Sequence, residues 1–522
     1  MSSEMAKATK STPAARLVPQ RYAMKQLALA LLVVSIAWPE CTAAPPESTL
    51  SPSKPRMYVL LWFDTEDYLL EASDDAALRN ATFCTQLGVK ANFKLVGEKV
   101  RSLDQRGRRD VIEALKKHEI GYHTEYHSVH PTPAQYTSTL GWDEGVAEFI
   151  RREGRGVEDI NRIFGTGPTW YGQPGSSWCP QAFGAMRTWD MPVYMDMGNH
   201  VGLGGRPHYY CGILTFYDLR HILRVGLDRS EQVEEATERF RAARQELLAE
   251  GGGVAHIYYH PCEFVHAQYW DGIFLDGDNP PREAWKKPPA KNPEQIRIAY
   301  ENFEVYIRWI KRTFDDVEFL TTTDAAQLYR DRARRRTFSA SEIREIAGKI
   351  GKEITFQRRG DFAVAPSEVL ALLTGALRRN PNLGDTSELK VVLENTPLGP
   401  TGIVPKLEEP IKTSWSQFIR TTCDVEEFIS RHGRVPSTIW LGSTGVPPEA
   451  YLRALAGVIA AGQQSETVEI RPATLSAAKY VRKDSTQIWG WLFPEGFHAP
   501  ELMELAERQA WTIKPAILDR SP

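Results

Sequence analysis

The sequence predicts an α/β fold built on a parallel sheet, followed by a smaller α+β region, and three observations carry that reading. Met57-Tyr58-Val59-Leu60-Leu61-Trp62-Phe63 is a continuous apolar run, the pattern of a strand buried on both faces, and acidic residues follow at its C-terminal end. Gly253 to Tyr259 repeats the arrangement and ends in His260. Between these runs helical patterns alternate with short apolar segments, which predicts a parallel barrel with its working groups at the C-terminal rim of the strands.

Taken in order, the 3.6-residue period predicts helices over Asp75 to Leu87, Arg108 to His118, Pro133 to Arg152, Ser230 to Glu250 and Pro293 to Thr313. Tyr269 to Asn292 interrupts the alternation with Trp270, Trp285 and two Pro-Pro pairs. A long ordered loop placed just after His260 reads as a wall or lid over a cleft. From Ser339 the texture changes. Ala365-Pro366-x-Glu368, Val446-Pro447-x-Glu449 and Ala499-Pro500-Glu501 each open an apolar helical stretch with proline and then an acid in the first turn. The first two follow a helix and a short strand, so weak internal repetition is expected there.

At 522 residues the chain exceeds one ordinary domain, and 63 basic against 66 acidic residues leave a net charge of -3, which implies no nucleic-acid partner. Lys25 precedes the apolar stretch Leu27 to Ala37, and Thr42-Ala43-Ala44 offers a cleavage point. The stretch is too short to favour a membrane span, so no stable span remains after cleavage and the expected location is secreted or periplasmic. The expected division is 1–44 as signal peptide with an N-terminal extension, 45–55 as linker, 56–336 as catalytic domain and 337–522 as the α+β region. Five cysteines would remain after cleavage, too sparse and odd a set for a disulfide framework.

His123-Thr124-Glu125-Tyr126-His127 is the most informative segment. Two imidazoles four residues apart fall on one face of a helical turn, and a carboxylate from another segment would complete a two-histidine, one-carboxylate set that leaves a metal position open. The acids after Phe63 supply that carboxylate. The extended-chain period of two puts Glu66 on the side of Asp64 and turns Asp67 away, which makes Glu66 the metal ligand and Asp67 the alternative. His130 reads as turn packing, and Cys262 as a bystander of the histidines rather than a nucleophile.

These segments, in this order, resemble the polysaccharide deacetylases of the NodB-homology group, carbohydrate esterase family 4, over about Arg56 to Arg335. Phe63-Asp64 resembles the first motif, His123-Thr124-x-x-His127 the second and Ile257-x-Tyr259-His260-Pro261 the last, while Val89 to Gly97 looks like the family's second strand. The resemblance implies a distorted (β/α)7 barrel and a divalent metal, zinc first among them, held by Glu66, His123 and His127. It further implies Asp64 as general base and His260 as general acid. One position departs: the arginine expected before the proline of the third motif is Gln173, and an amide cannot hold a carboxylate as a guanidinium does. Gln173, Trp178, Tyr258 and Trp270 are the candidate substrate contacts.

The implied activity is removal of N-acetyl (or O-acetyl) groups from an amino-sugar polysaccharide or cell-wall glycan. Two alternatives stay open, amidohydrolysis of a non-carbohydrate C–N bond and non-catalytic glycan binding on the same fold. Asp424-x-x-x-Phe428-Ile429-x-x-x-Gly433-Arg434-x-Pro436 also resembles small pseudomurein-binding repeats, which raises cell-wall attachment for the tail.

Overall fold

The computed structural model describes residues 54–384 and 388–520. The expected signal segment lies outside these residues. The chain opens with β1 (Met57–Thr65), α1 (Glu71–Leu87), β2 (Asn92–Leu95), α2 (Gly97–Gln105), α3 (Arg109–Leu115) and β3 (Glu119–Tyr122). It continues through α4 (Pro133–Thr137), α5 (Trp142–Phe164), β4 (Trp170–Tyr171), α6 (Gln181–Thr188), β5 (Val193–Met195), β6 (His208–Tyr210) and β7 (Ile213–Phe216). Then come α7 (Gln232–Ala249), β8 (Gly253–Tyr259), α8 (Pro293–Thr313) and β9 (Val317–Phe319). The single helix expected over Pro133 to Arg152 is two helices, with Gly141 at the N-cap of the second.

Seven strands run parallel in the order β8-β1-β2-β3-β4-β5-β7, and β9 adds to β1 in the same sense. Beyond β7 the sheet turns antiparallel, through β6 and a late strand, Lys514–Pro515. The sheet curls, and just after β7 the bridge from Ile222 to His256 brings that side of it back to the free edge of β8. This is a distorted, incompletely closed (β/α)7 barrel.

Alternation along β1 separates two cores. Val59, Leu61 and Phe63 pack outward against helical residues such as Ala76, Phe83 and Phe303. Leu60 and Trp62 face the interior, where Trp170, Val193, Met195, Leu214, Phe216 and Val254 meet them. The same alternation aims Asp64 inward at the rim.

Residues 337–470 trace one motif twice. A strand (Thr337–Ser339), a helix (Ala340–Gly348), a hairpin (Gln357–Arg359 with Phe362–Val364), a helix (Pro366–Arg379) and a strand (Lys390–Val392) come first. Ile411–Ser414, Trp415–His432, Ile439–Leu441 with Thr444–Val446, Pro448–Ala461 and Thr467–Ile470 repeat the order. In each copy the first strand pairs antiparallel with the last. These elements share their own apolar cluster. The chain then returns to the barrel's outer core, to which Ala477, Val481, Trp489, Leu492, Phe493, Leu502 and Ile513 belong. Buried Lys514 fastens the return, its ammonium 2.7 Å from Asp331 and 2.7 Å from Glu368. The five cysteines of the described residues are free.

Candidate metal centre

The His123–His127 segment is not the helical turn expected. β3 ends at Tyr122, and Thr124 and His127 both take left-handed backbone conformations, with φ of 66° and 57°. The reason is tertiary. Its carbonyls are taken by the start of α2, with Gly97 N–H donating to Thr124 O (2.9 Å) and Glu98 N–H to Glu125 O (3.0 Å). Its amides go to side chains, Glu125 N–H to Glu153 (2.7 Å) and His127 N–H to Thr124 Oγ1 (3.2 Å). With those groups engaged, no intrahelical ladder is left to form. A left-handed non-glycine residue costs about 1–3 kcal/mol, and its surroundings must hold it in place.

The loop swings both imidazoles toward Glu66, which follows β1. Glu66 Oε2 lies 3.3 Å from His123 Nε2 and 2.9 Å from His127 Nε2. The three ligand atoms fall within 4.8 Å of one another, and the three residues are buried. Donors around a tetrahedral ion with bonds of about 2.0–2.1 Å stand about 3.3 Å apart, so the set fits a divalent metal. His123 Nε2 is buried without a hydrogen-bond partner, a cost that a metal would remove. His123 Nδ1 donates to Gly172 O at 2.9 Å, which leaves the Nε2 lone pair for coordination.

The loop after β8 braces these ligands. Tyr269 and Trp270 each donate to Glu66 Oε1 at 2.7 Å, and Asp271 stands 3.1 Å from His127 Nδ1 while accepting from Ser128. Asp67 turns the other way, onto His266 (3.0 Å), Ser73 and the Leu69 amide.

Asp64 and His260 flank the ligands. Asp64 Oδ1 pairs with Lys94 at 3.0 Å, and Oδ2 faces His260 Nε2 at 3.4 Å and His123 Nε2 at 3.9 Å. Burial alone would raise the Asp64 carboxyl, but Lys94 and then His123 and His260 bring it down to about 2. Burial likewise opposes charge on His260, yet Glu66 and Glu263 hold its imidazolium well above the ordinary range. Glu263 takes His260 Nδ1 at 2.8 Å and is itself held by Arg224. Asp64, Glu66 and His260 also cluster closely enough to hold an ion; the two-histidine set is the one with an unpartnered imidazole nitrogen, His123 Nε2, turned into it.

A cavity of about 480 Å³ joins these groups, walled by Trp62, Gln173, Asp196, Met197, Tyr258, Leu275 and Trp491. Gln173 braces backbone, donating to Gly175 O (3.1 Å) and Met197 O (3.0 Å). Tyr258 stacks on Trp62 at 4.9 Å. The other two expected substrate contacts are sealed at 1% exposure. Trp178 stacks on His200 in the core, and Trp270 is spent on Glu66. Burial, with Glu66 and Asp67 adding to it, pushes the Cys262 thiol well up, so it keeps its proton and is no nucleophile.

No protein-family description and no curated protein matches the sequence. The solved structures it resembles include polysaccharide deacetylases. A protein from Mycobacterium smegmatis assigned to that group aligns at 16% identity over 55% of this chain and 94% of its own, with a TM-score of 0.33. A family 4 acetyl xylan esterase from Clostridium thermocellum, in complex with a cobalt ion, aligns at 17% identity over 52% and 91%, with a TM-score of 0.26. The Puue allantoinase aligns at 12% over 53% and 91%, with a TM-score of 0.34. At such scores the reading of the site rests on its own geometry.

Sequence reasoning missed Lys94, Asp196, Asp271, Tyr269 and Trp491. Lys94 sits in the segment read as a second strand, but only the β1–β2 register, which sets it beside Asp64, reveals the pair. Trp491 reaches the cavity from the returning tail, where no local signal marks it.

Proposed function

We propose that the protein is an exported metal-dependent hydrolase that removes acetyl groups from an amino-sugar polymer. The observation that carries the reading is the convergence of Glu66, His123 and His127 beside Asp64 and His260 in one cavity. A divalent ion there, zinc first among the candidates, would supply Lewis acidity to an amide carbonyl and to water. Asp64 Oδ2, ionised at any pH above about 2, accepts the proton of the attacking water. His260, with Glu263 on its Nδ1, gives its Nε2 proton to the departing nitrogen. Glu263 and Arg224 keep that imidazole oriented. The apolar stretch Leu27 to Ala37 after Lys25 supports export.

A second reading, hydrolysis of a small non-carbohydrate amide, is favoured by the wall that the tail adds to the cavity. Asp276 N–H donates to Trp491 O at 2.9 Å, linking the loop after β8 to the tail beside the cavity walls Leu275 and Trp491. Acetate release from chitin oligomers and peptidoglycan, measured with metal-loaded and chelated protein beside amine release from small amides, tests both. Metal-dependent acetate release is expected. Amine release from small amides alone selects the second reading, and a metal-loaded protein inert in both assays removes both.

A further inference from the structure

We infer that Lys94 is the residue that aims Asp64, gripping one carboxylate oxygen so that the other faces the cavity. The inference rests on the reading of Asp64 as base. The two residues are neighbours across the β1–β2 pairing, and Lys94 Nζ stands 3.0 Å from Asp64 Oδ1. The oxygen it leaves free, Oδ2, is the one turned toward His260 and His123. Lys94 is fully buried, with Asp196 on its other side and the Trp62 ring 4.8 Å from the ammonium.

Two features say that the grip is built in. Gly172 clears the space, since a Cβ there would lie 2.7 Å from Nζ and closer still to Asp196. The same glycine's carbonyl fixes His123 Nδ1, so the backbone that admits the ammonium also orients a metal ligand. A buried ammonium needs a carboxylate partner, and Asp196 alone would satisfy that need. The second contact, to Asp64, restricts rotation of the group that must meet the water.

The test uses the whole protein. Lys94→Met removes the charge, and Lys94→Met/Asp196→Asn does so without leaving Asp196 charged and unpaired. Both are expected to keep bound metal and KM within about twofold of wild type while kcat falls on the order of 100-fold, as for loss of an oriented base. In an Asp64→Asn background the Lys94 substitution is expected to cost no more than about twofold further, because a positioning residue has nothing left to position. A double variant within threefold of wild-type kcat overturns the inference, as does a loss that carries over in full to the Asp64→Asn background. Should wild-type protein hydrolyse nothing, the proposed function falls, and the pairing is judged by thermal unfolding. Tm shifts of Lys94→Met and Asp64→Asn that simply add would then reject it.

Discussion

Asp271→Asn isolates what the loop after β8 contributes to the candidate metal site. Asp271 is fully buried, its Oδ2 lies 3.1 Å from His127 Nδ1, and it takes the Ser128 hydroxyl as well. His127 Nδ1 hydrogen-bonds Ser128 Oγ at 2.5 Å. The substitution keeps size and removes the charge that stands behind that hydroxyl and beside Nδ1, the support that keeps the proton on Nδ1 and leaves Nε2 for a metal. Loss of such a supporting partner typically costs 10–100-fold in metal affinity, about 1.4–2.7 kcal/mol. Zinc or cobalt competition against a chromophoric chelator, begun from stripped protein, measures it directly. Asp67→Asn is the control, since Asp67 is equally buried and only a residue away from Glu66 but spends its oxygens on Ser73, His266 and a backbone amide. Equal affinity in wild type and Asp271→Asn, or a larger loss in Asp67→Asn, would refute the assignment of ligands and support.

A chain ending at Arg335 is expected to be insoluble or inactive, because it lacks both the apolar residues between Ala477 and Ile513 that belong to the barrel's core and the cavity wall Trp491. Soluble truncated protein with wild-type kcat/KM would show that the tail is dispensable. His208 gives a pH test. Burial keeps its imidazole neutral down to about 4, against about 6.5 in the unfolded chain, so the unfolded state takes up a proton that the folded state refuses. The resulting penalty is absent above about pH 6.5, grows by about 1.4 kcal/mol per pH unit and is complete below about pH 4. His208→Asn, whose amide keeps the donor to Arg206 O, is expected to flatten the fall of the urea midpoint across that window. Parallel curves for the two proteins would count against it.

The two long apolar runs and the helix over Pro293 to Thr313 were legible because each is a local signal, an uninterrupted buried strand or a sustained 3.6-residue period. The convergence of the site was not. Whether Asp64 sits beside Lys94 depends on which strands neighbour each other and at what offset, and no local pattern encodes that. The His123 segment failed for a related reason: an i, i+4 pair carries helical geometry only if the backbone bonds are free to follow, and here α2 and Glu153 take them. Trp178 shows the limit of residue type as a guide, since an indole near a motif fills a core as readily as it meets a ligand.

The return of the chain after residue 475 changes what counts as the edge of the barrel unit. The duplicated region leaves the barrel and hands the chain back to it, so in sequence the repeats are an interruption rather than an appendix. A change in the relation of the repeats to the barrel would pull on the segment that carries Trp491, and through the Asp276–Trp491 hydrogen bond on the loop that braces Glu66 and His127. The chain that supplies a wall of the cavity and a contact to the bracing loop is thereby the chain that has just left the repeats.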